Sequence, residues 1–226
     1  MIRRDYILRM IEEFMEFLER VEALKDERQW RDADAALEDE FQRLMGTNGP
    51  GVLKLSETEL IAKVVEGEST QLVRHKTLLV TTLLKEAGDI ATAQDREDEG
   101  RGYYFRGLHL LLDVFTRDDV EEYPEFVPKV EVFVSALEGV ELPPATRALL
   151  MQHYERTGQF GKAEDALFGL LDALPGNAEA VDFGIAFYRR LEGQSDSALE
   201  GGNLPRAELE AGLRELRQRQ TAPRGG

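Results

Sequence analysis

Three histidines, His75, His109 and His153, carry the side chains best suited to acid–base chemistry or metal ligation near neutral pH. They are too dispersed for a local ligand pair, and no His-x-x-x-His spacing occurs. Asp95-Arg-Glu97-Asp-Glu99-Gly100 begins like a calcium loop. Its twelfth position is Arg106, where the cage needs a bidentate glutamate. Gly100-Arg-Gly102 begins like a dinucleotide-binding turn, but Phe105 takes the third glycine position and no strand precedes it. Gly161-Lys162 is followed by Ala163, so the hydroxyl that a phosphate loop places on magnesium is missing. No Gly-x-Ser-x-Gly occurs. With 44 Asp and Glu residues, pairs of carboxylates arise everywhere and single out no acid–base couple. These residues therefore assign no catalytic, cofactor-binding or metal-ligating position, and they imply no cofactor.

Composition narrows the classes further. The 226 residues hold 28 Lys and Arg against the 44 acids, a formal charge of −16, with no cysteine. Such a surface repels phosphates, which argues against a nucleic-acid partner. Absence of cysteine excludes disulfides, iron–sulfur clusters, thiolate zinc sites and a thiol nucleophile. The opening Met-Ile-Arg-Arg-Asp-Tyr is followed by no apolar leader segment, and the longest uncharged apolar stretch is Thr77–Leu84. That stretch falls far short of the ~20 residues that cross a bilayer. The expected setting is cytoplasmic, with no membrane partner.

The elements that position any site are helical. Apolar residues recur at helical spacing almost throughout, and strand-like alternation is scarce. Ile7, Met10, Ile11, Phe14, Leu18 and Val21 share one face of an opening helix, with Glu12, Glu13, Glu16, Glu19 and Glu22 opposite. A break at Asp26–Arg28 precedes a second helix through Trp30, Leu37 and Leu44. Thr47-Asn48-Gly49-Pro50-Gly51 reads as a turn, and Ser56-Glu-Thr-Glu as a capping box opening a short helix. Longer patterns follow at about 72–94 and 100–115, then a connector at Asp118–Pro128 and a helix from Pro128 to near Gly139. Further helices are expected at about 144–157, 160–174 and 178–191, one short turn at 195–200, and a last helix from Pro205 to about Arg219.

Residues 144–177 carry a repeat signal. Leu150, Tyr154, Gly158, Phe160, Ala163, Leu167 and Pro175 stand where the 34-residue tetratricopeptide repeat takes those residue types. Met151 and Leu170 depart from it, each in place of a small residue. Residues 81–114 keep Gly88, Gly100, Tyr104 and Gly107 in the same frame, but lack the mid-repeat aromatic (Glu97 stands there) and the closing proline. A degenerate third copy holds Trp30, Ala33 and Leu37. The two clearer segments resemble tetratricopeptide repeats. Nearly the whole chain, from Arg4-Asp5-Tyr6-Ile7-Leu8 through Ala163-Glu164-Asp165-Ala166 to Leu204-Pro205-Arg206, also resembles a bacterial family labelled only as a domain of unknown function. The resemblance implies an all-α fold of antiparallel helical hairpins stacked as a right-handed array, in a bacterial cytoplasm.

The expectation is thus about ten helices in one helical-repeat domain over 1–219, with a flexible tail at 220–226. The leading function is a non-enzymatic scaffold or adaptor for a protein or peptide partner. The repeat frame turns Ala145, Ala148, Gln152, Glu155 and Arg156 toward a concave groove, and likewise Thr82, Lys85, Asp89, Thr92 and Ala93. Lys85, Asp89, Gln152, Glu155 and Arg156 are the candidate partner-binding residues. Lys85 and Arg156 would pair with a partner's carboxylate. One alternative is an enzyme or small-ligand protein with a pocket between helices, built from Tyr103, Tyr104, Arg106 and His109. Another is a structural homo-oligomer subunit, with a homodimer formed through the first helix.

Overall fold

A computed structural model describes residues 2–117 and 123–221. Every regular element among them is a helix. Where the periodicity leads to one array over 1–219, the contacts gather into two compact units, Met1–Val140 and Glu141–Gly226. The break coincides with chain that cannot continue a helix: Gly139 has a positive φ of 77°, and tandem prolines follow at Pro143 and Pro144.

The first unit holds α1 (Ile2–Asp26), α2 (Trp30–Met45), α3 (Gly49–Val52), α4 (Glu57–Val65), α5 (Thr70–Ala93), α6 (Glu97–Arg117) and α7 (Val130–Ala136). α5 is its central helix, touching α1, α2, α4 and α6. That position explains the unbroken run Thr77–Leu84, because a helix surrounded by neighbours needs apolar residues all round. Thr77 and Thr82 are buried in it without penalty, each hydroxyl donating to the carbonyl four residues back, Val73 (2.7 Å) and Leu78 (3.0 Å). α5 and α6 run antiparallel across a three-residue turn at 94–96. At their crossing Gly88 lies against the Tyr104 ring, where even a methyl group would sit 2.6 Å from a ring carbon. α1 buries Met10, Phe14, Phe17 and Val21 on this core. Each large side chain so buried contributes about 1.5–3 kcal/mol of transfer free energy.

Local chemistry sets the ends of these helices. Ser56 and Glu59 form both halves of the capping box at the start of α4. Gly46 closes α2 in the left-handed region at φ 63°, where a Cβ would be strained. The expected turn at 47–51 contains α3, one helical turn whose Asn48 side chain accepts the Gly51 amide. Pro128 falls outside the first turn of α7, whose N-cap is Lys129. Residues 118–122 of the expected connector lie outside the described residues.

The second unit holds α8 (Pro144–Arg156), α9 (Phe160–Ala173), α10 (Ala178–Leu191), α11 (Asp196–Gly201) and α12 (Arg206–Thr221). α8 pairs with α9 across a turn in which Gly158 takes φ 73°. Leu150, Tyr154, Phe160, Ala163, Leu167 and Leu170 are all buried, and so is Met151. α10 pairs with α12. Tyr188 of α10 is fully buried, with its hydroxyl 2.5 Å from Glu164 Oε1 of α9, and Gly212 of α12 lies directly over it. Gln220 and Thr221, expected in the tail, belong to α12, and Gln220 Nε2 donates to Asp182 at 2.6 Å. Residues 222–226 lie outside the described residues.

Glu164 gives a testable pH dependence. Burial pushes its carboxyl above the ordinary 4.5, the Tyr188 hydrogen bond opposes this, and Glu208, Asp165 and Glu215 add repulsion. The folded state therefore holds this proton more tightly than the unfolded chain. The associated stability is complete below pH 4.5 and is lost as pH rises through the folded-state value. Glu164→Gln should raise the melting temperature by a few degrees at pH 7 and by nothing measurable near pH 4. Paired thermal melts of variant and wild type at the two pH values check this.

Candidate functional site

The five candidate residues fall in two places, one in each unit. Lys85 and Asp89 lie one turn apart on α5, half-buried beside α1 and α6. Lys85 Nζ contacts Asp89 at 2.8 Å and Glu86 at 2.9 Å. Lys25 of α1 reaches Glu86 at 2.6 Å and Asp89 at 3.3 Å, and the Tyr104 hydroxyl of α6 donates to Asp89 at 2.7 Å. Burial alone would raise the Asp89 carboxyl, but Lys85, Tyr104 and Lys25 outweigh it and hold it below its ordinary value. Two lysines and two acids thus neutralise one another between three helices. The frame's neighbouring groove position, Thr82, is buried rather than presented. This cluster joins α1, α5 and α6, and Lys85 meets acids of its own chain.

Gln152, Glu155 and Arg156 lie together in the second unit. With Gly158, Phe160, Arg190, Leu191 and Gln194 they line a groove of about 410 Å³. Gln152 and Arg156 are exposed on its wall, and Phe160 and Leu191 are buried at its base. Glu155 is gripped bidentately by Arg190 of α10, at 2.6 and 2.7 Å from Nε and Nη2. The groove is thus lined by a guanidinium, a carboxamide and an apolar floor, and its acid, Glu155, is paired with Arg190.

Arg190 and Gln194 are lining residues that the sequence reading did not select. A signal for Arg190 exists: one 34-residue period beyond Glu155 and Arg156 stand Arg189 and Arg190. The pairing of Glu155 with Arg190 joins α8 to α10 across 35 residues.

Tyr103, Tyr104, Arg106 and His109 all lie on α6 but answer to separate partners. Tyr103 stacks on Phe41 with ring centroids 5.8 Å apart. Tyr104 is held by Asp89. Arg106 donates to the carbonyls of Val52 and Leu55, each at 3.0 Å, to that of Leu53, and to Gly102 O at 3.1 Å. His109 is buried, and burial pushes its imidazole below the ordinary 6.5. A cavity of about 200 Å³ lies elsewhere in this unit, lined by Ile61, Val64, Val73, Leu110 and Val114 together with Arg74, Asp113 and Arg117.

Among the described residues, no group of three or more His, Asp or Glu side chains is arranged to hold a metal ion, and no helix is long and apolar enough to cross a membrane. No curated protein and no solved structure matches the chain significantly. Both units nevertheless follow one family pattern that matches residues 1–221, and the protein belongs to the family of unknown function DUF6483.

Proposed function

We propose that the protein is a non-enzymatic adaptor, working in the cytoplasm, that binds a peptide or protein segment along the groove of its second unit. The groove at Gln152, Glu155 and Arg156 carries this reading. Residue types suited to holding an extended chain, a guanidinium and a carboxamide above Phe160 and Leu191, converge there on helices α8, α9 and α10. We read the α8–α9 hairpin as tetratricopeptide-like, on the strength of Gly158 at the turn and of Tyr154, Phe160 and Ala163 buried at the crossing. Arg156 is the residue assigned to a partner carboxylate. Lys85, engaged by Glu86 and Asp89, has no part in it.

The test is a crosslinking pull-down from the native cell with wild type and with Arg156→Glu. Arg156 is exposed, and an unchanged melting temperature of the variant checks that the reversal leaves the fold intact. A stoichiometric partner should be recovered by the wild type and reduced about tenfold by the variant, the loss of one charge-assisted contact. Equal recovery by both proteins removes the groove from the function.

A further inference from the structure

α1 carries a second apolar stripe beside the one that faces the core. Leu8, Ile11, Met15 and Leu18 follow one another at spacings of three, four and three, the pattern of a helix seam. Leu8 is 49% exposed and Met15 37%, while Ile11 and Leu18 are half-buried. Of the four large apolar side chains that stand exposed among the described residues, three are on α1: Tyr6, Leu8 and Met15. The inner face of Met10, Phe14, Phe17 and Val21 is meanwhile fully engaged. Packing within the first unit therefore leaves Leu8 and Met15 uncovered, while Leu18, at the end of the stripe, also packs against the core.

The surroundings of the stripe state what would cover it. Glu12, Glu16 and Glu19 line its outer edge and Glu22 closes its far end, all four exposed. None forms an ion pair among the described residues. Glu13, on the other side of the helix, is by contrast held by Arg43 at 3.1 Å and approached by Arg9 at 3.8 Å. The charge of the chain is also unequally divided. Residues 1–140 hold 18 Lys and Arg against 31 Asp and Glu, and residues 141–226 hold 10 against 13. An apolar seam edged by unpaired glutamates attracts a helix whose own apolar residues are flanked by lysine or arginine, and repels one flanked by acids.

We propose that the Leu8–Leu18 stripe is a docking seam for a basic amphipathic helix of a partner protein. A second copy of this chain fits poorly. Its glutamate edge would face an identical one, a juxtaposition of like charges. The seam concerns α1 alone and stands whether or not the groove of the second unit binds anything.

The probes are two synthetic peptides about five turns long, with the same leucines at helical spacing, one flanked by lysines and one by glutamates. Fluorescence anisotropy on the full chain should show binding of the lysine peptide, weakened by added salt, and none of the glutamate peptide. Leu8→Ser with Met15→Ser should weaken binding at least about tenfold at an unchanged melting temperature. Glu12→Lys with Glu19→Lys keeps the apolar residues and should shift preference toward the glutamate peptide. Undiminished binding by the serine variant overturns the proposal in favour of general adhesion to an acidic surface. Self-association in sedimentation that the serine variant abolishes assigns the seam to a second copy instead. Wild-type binding to anionic vesicles that the serine variant loses assigns it to a membrane.

Discussion

Gly212→Ala should destabilise the second unit by about 1–3 kcal/mol, although alanine is the better helix former by about 1 kcal/mol. The added methyl would lie 2.1 Å from the Tyr188 hydroxyl oxygen and 2.4 Å from Cζ. Tyr188 cannot swing aside, because it has no exposed surface and its hydroxyl is held by Glu164 at 2.5 Å. The strain must therefore lift α12 away from α10, and Leu209, Leu213 and Leu216 would lose packing with it. Hydrogen exchange on the full chain reads this directly. Amides of α10 and α12 should exchange faster in the variant, while those of α5 and α6 keep their wild-type rates. Placing the same change in a Tyr188→Leu background removes the obstructing ring, and there it should be neutral or stabilising. Equal costs in both backgrounds would refute the steric account.

Asp89→Ala should cost the first unit about 2–3 kcal/mol at neutral pH. It leaves the nearly buried Tyr104 hydroxyl without its acceptor and Lys85 with Glu86 alone. Since the Asp89 carboxyl is held below its ordinary 3.8, its contribution is present above that pH and is lost as pH falls through the lowered folded-state value. Urea titrations should show the gap between wild type and variant wide at pH 7 and closing below pH 3.8. A gap that persists unchanged in acid would mean that the aspartate acts by packing alone.

The fold was legible wherever the cause is local. Ser56 and Glu59 announce a helix start because cap and partner lie three residues apart. Gly46 and Gly158 mark turns because only glycine takes a positive φ at no cost. The run Thr77–Leu84 was visible in the sequence only as the longest apolar stretch, and its meaning, a helix surrounded by neighbours, came from the contacts of α5. Pairings over long separations were not legible. Lys25 meets Asp89 across 64 residues, and Arg106 meets Val52 across 54, with no periodic trace in the sequence. The division into two units was hidden for a related reason. A 34-residue frame describes how one hairpin packs and says nothing about where contacts between hairpins stop. At the candidate groove, periodicity placed Gln152, Glu155 and Arg156 on one helix face, but it could not tell that Lys85, in the matching frame, is held by acids of its own chain.

Arg106 also decides what kind of segment lies between α2 and α4. On sequence, residues 47–55 have the glycines and proline of a linker, the sort of place where a tag or a protease site is inserted without harm. In the folded chain three carbonyl contacts, at Val52, Leu53 and Leu55, are gathered onto one guanidinium from α6. That segment cannot open on its own, because lifting it strips a half-buried cation of nearly all its acceptors. Its tolerance of insertion is that of a helix in the core, and the chain is better extended at an end than opened at this turn.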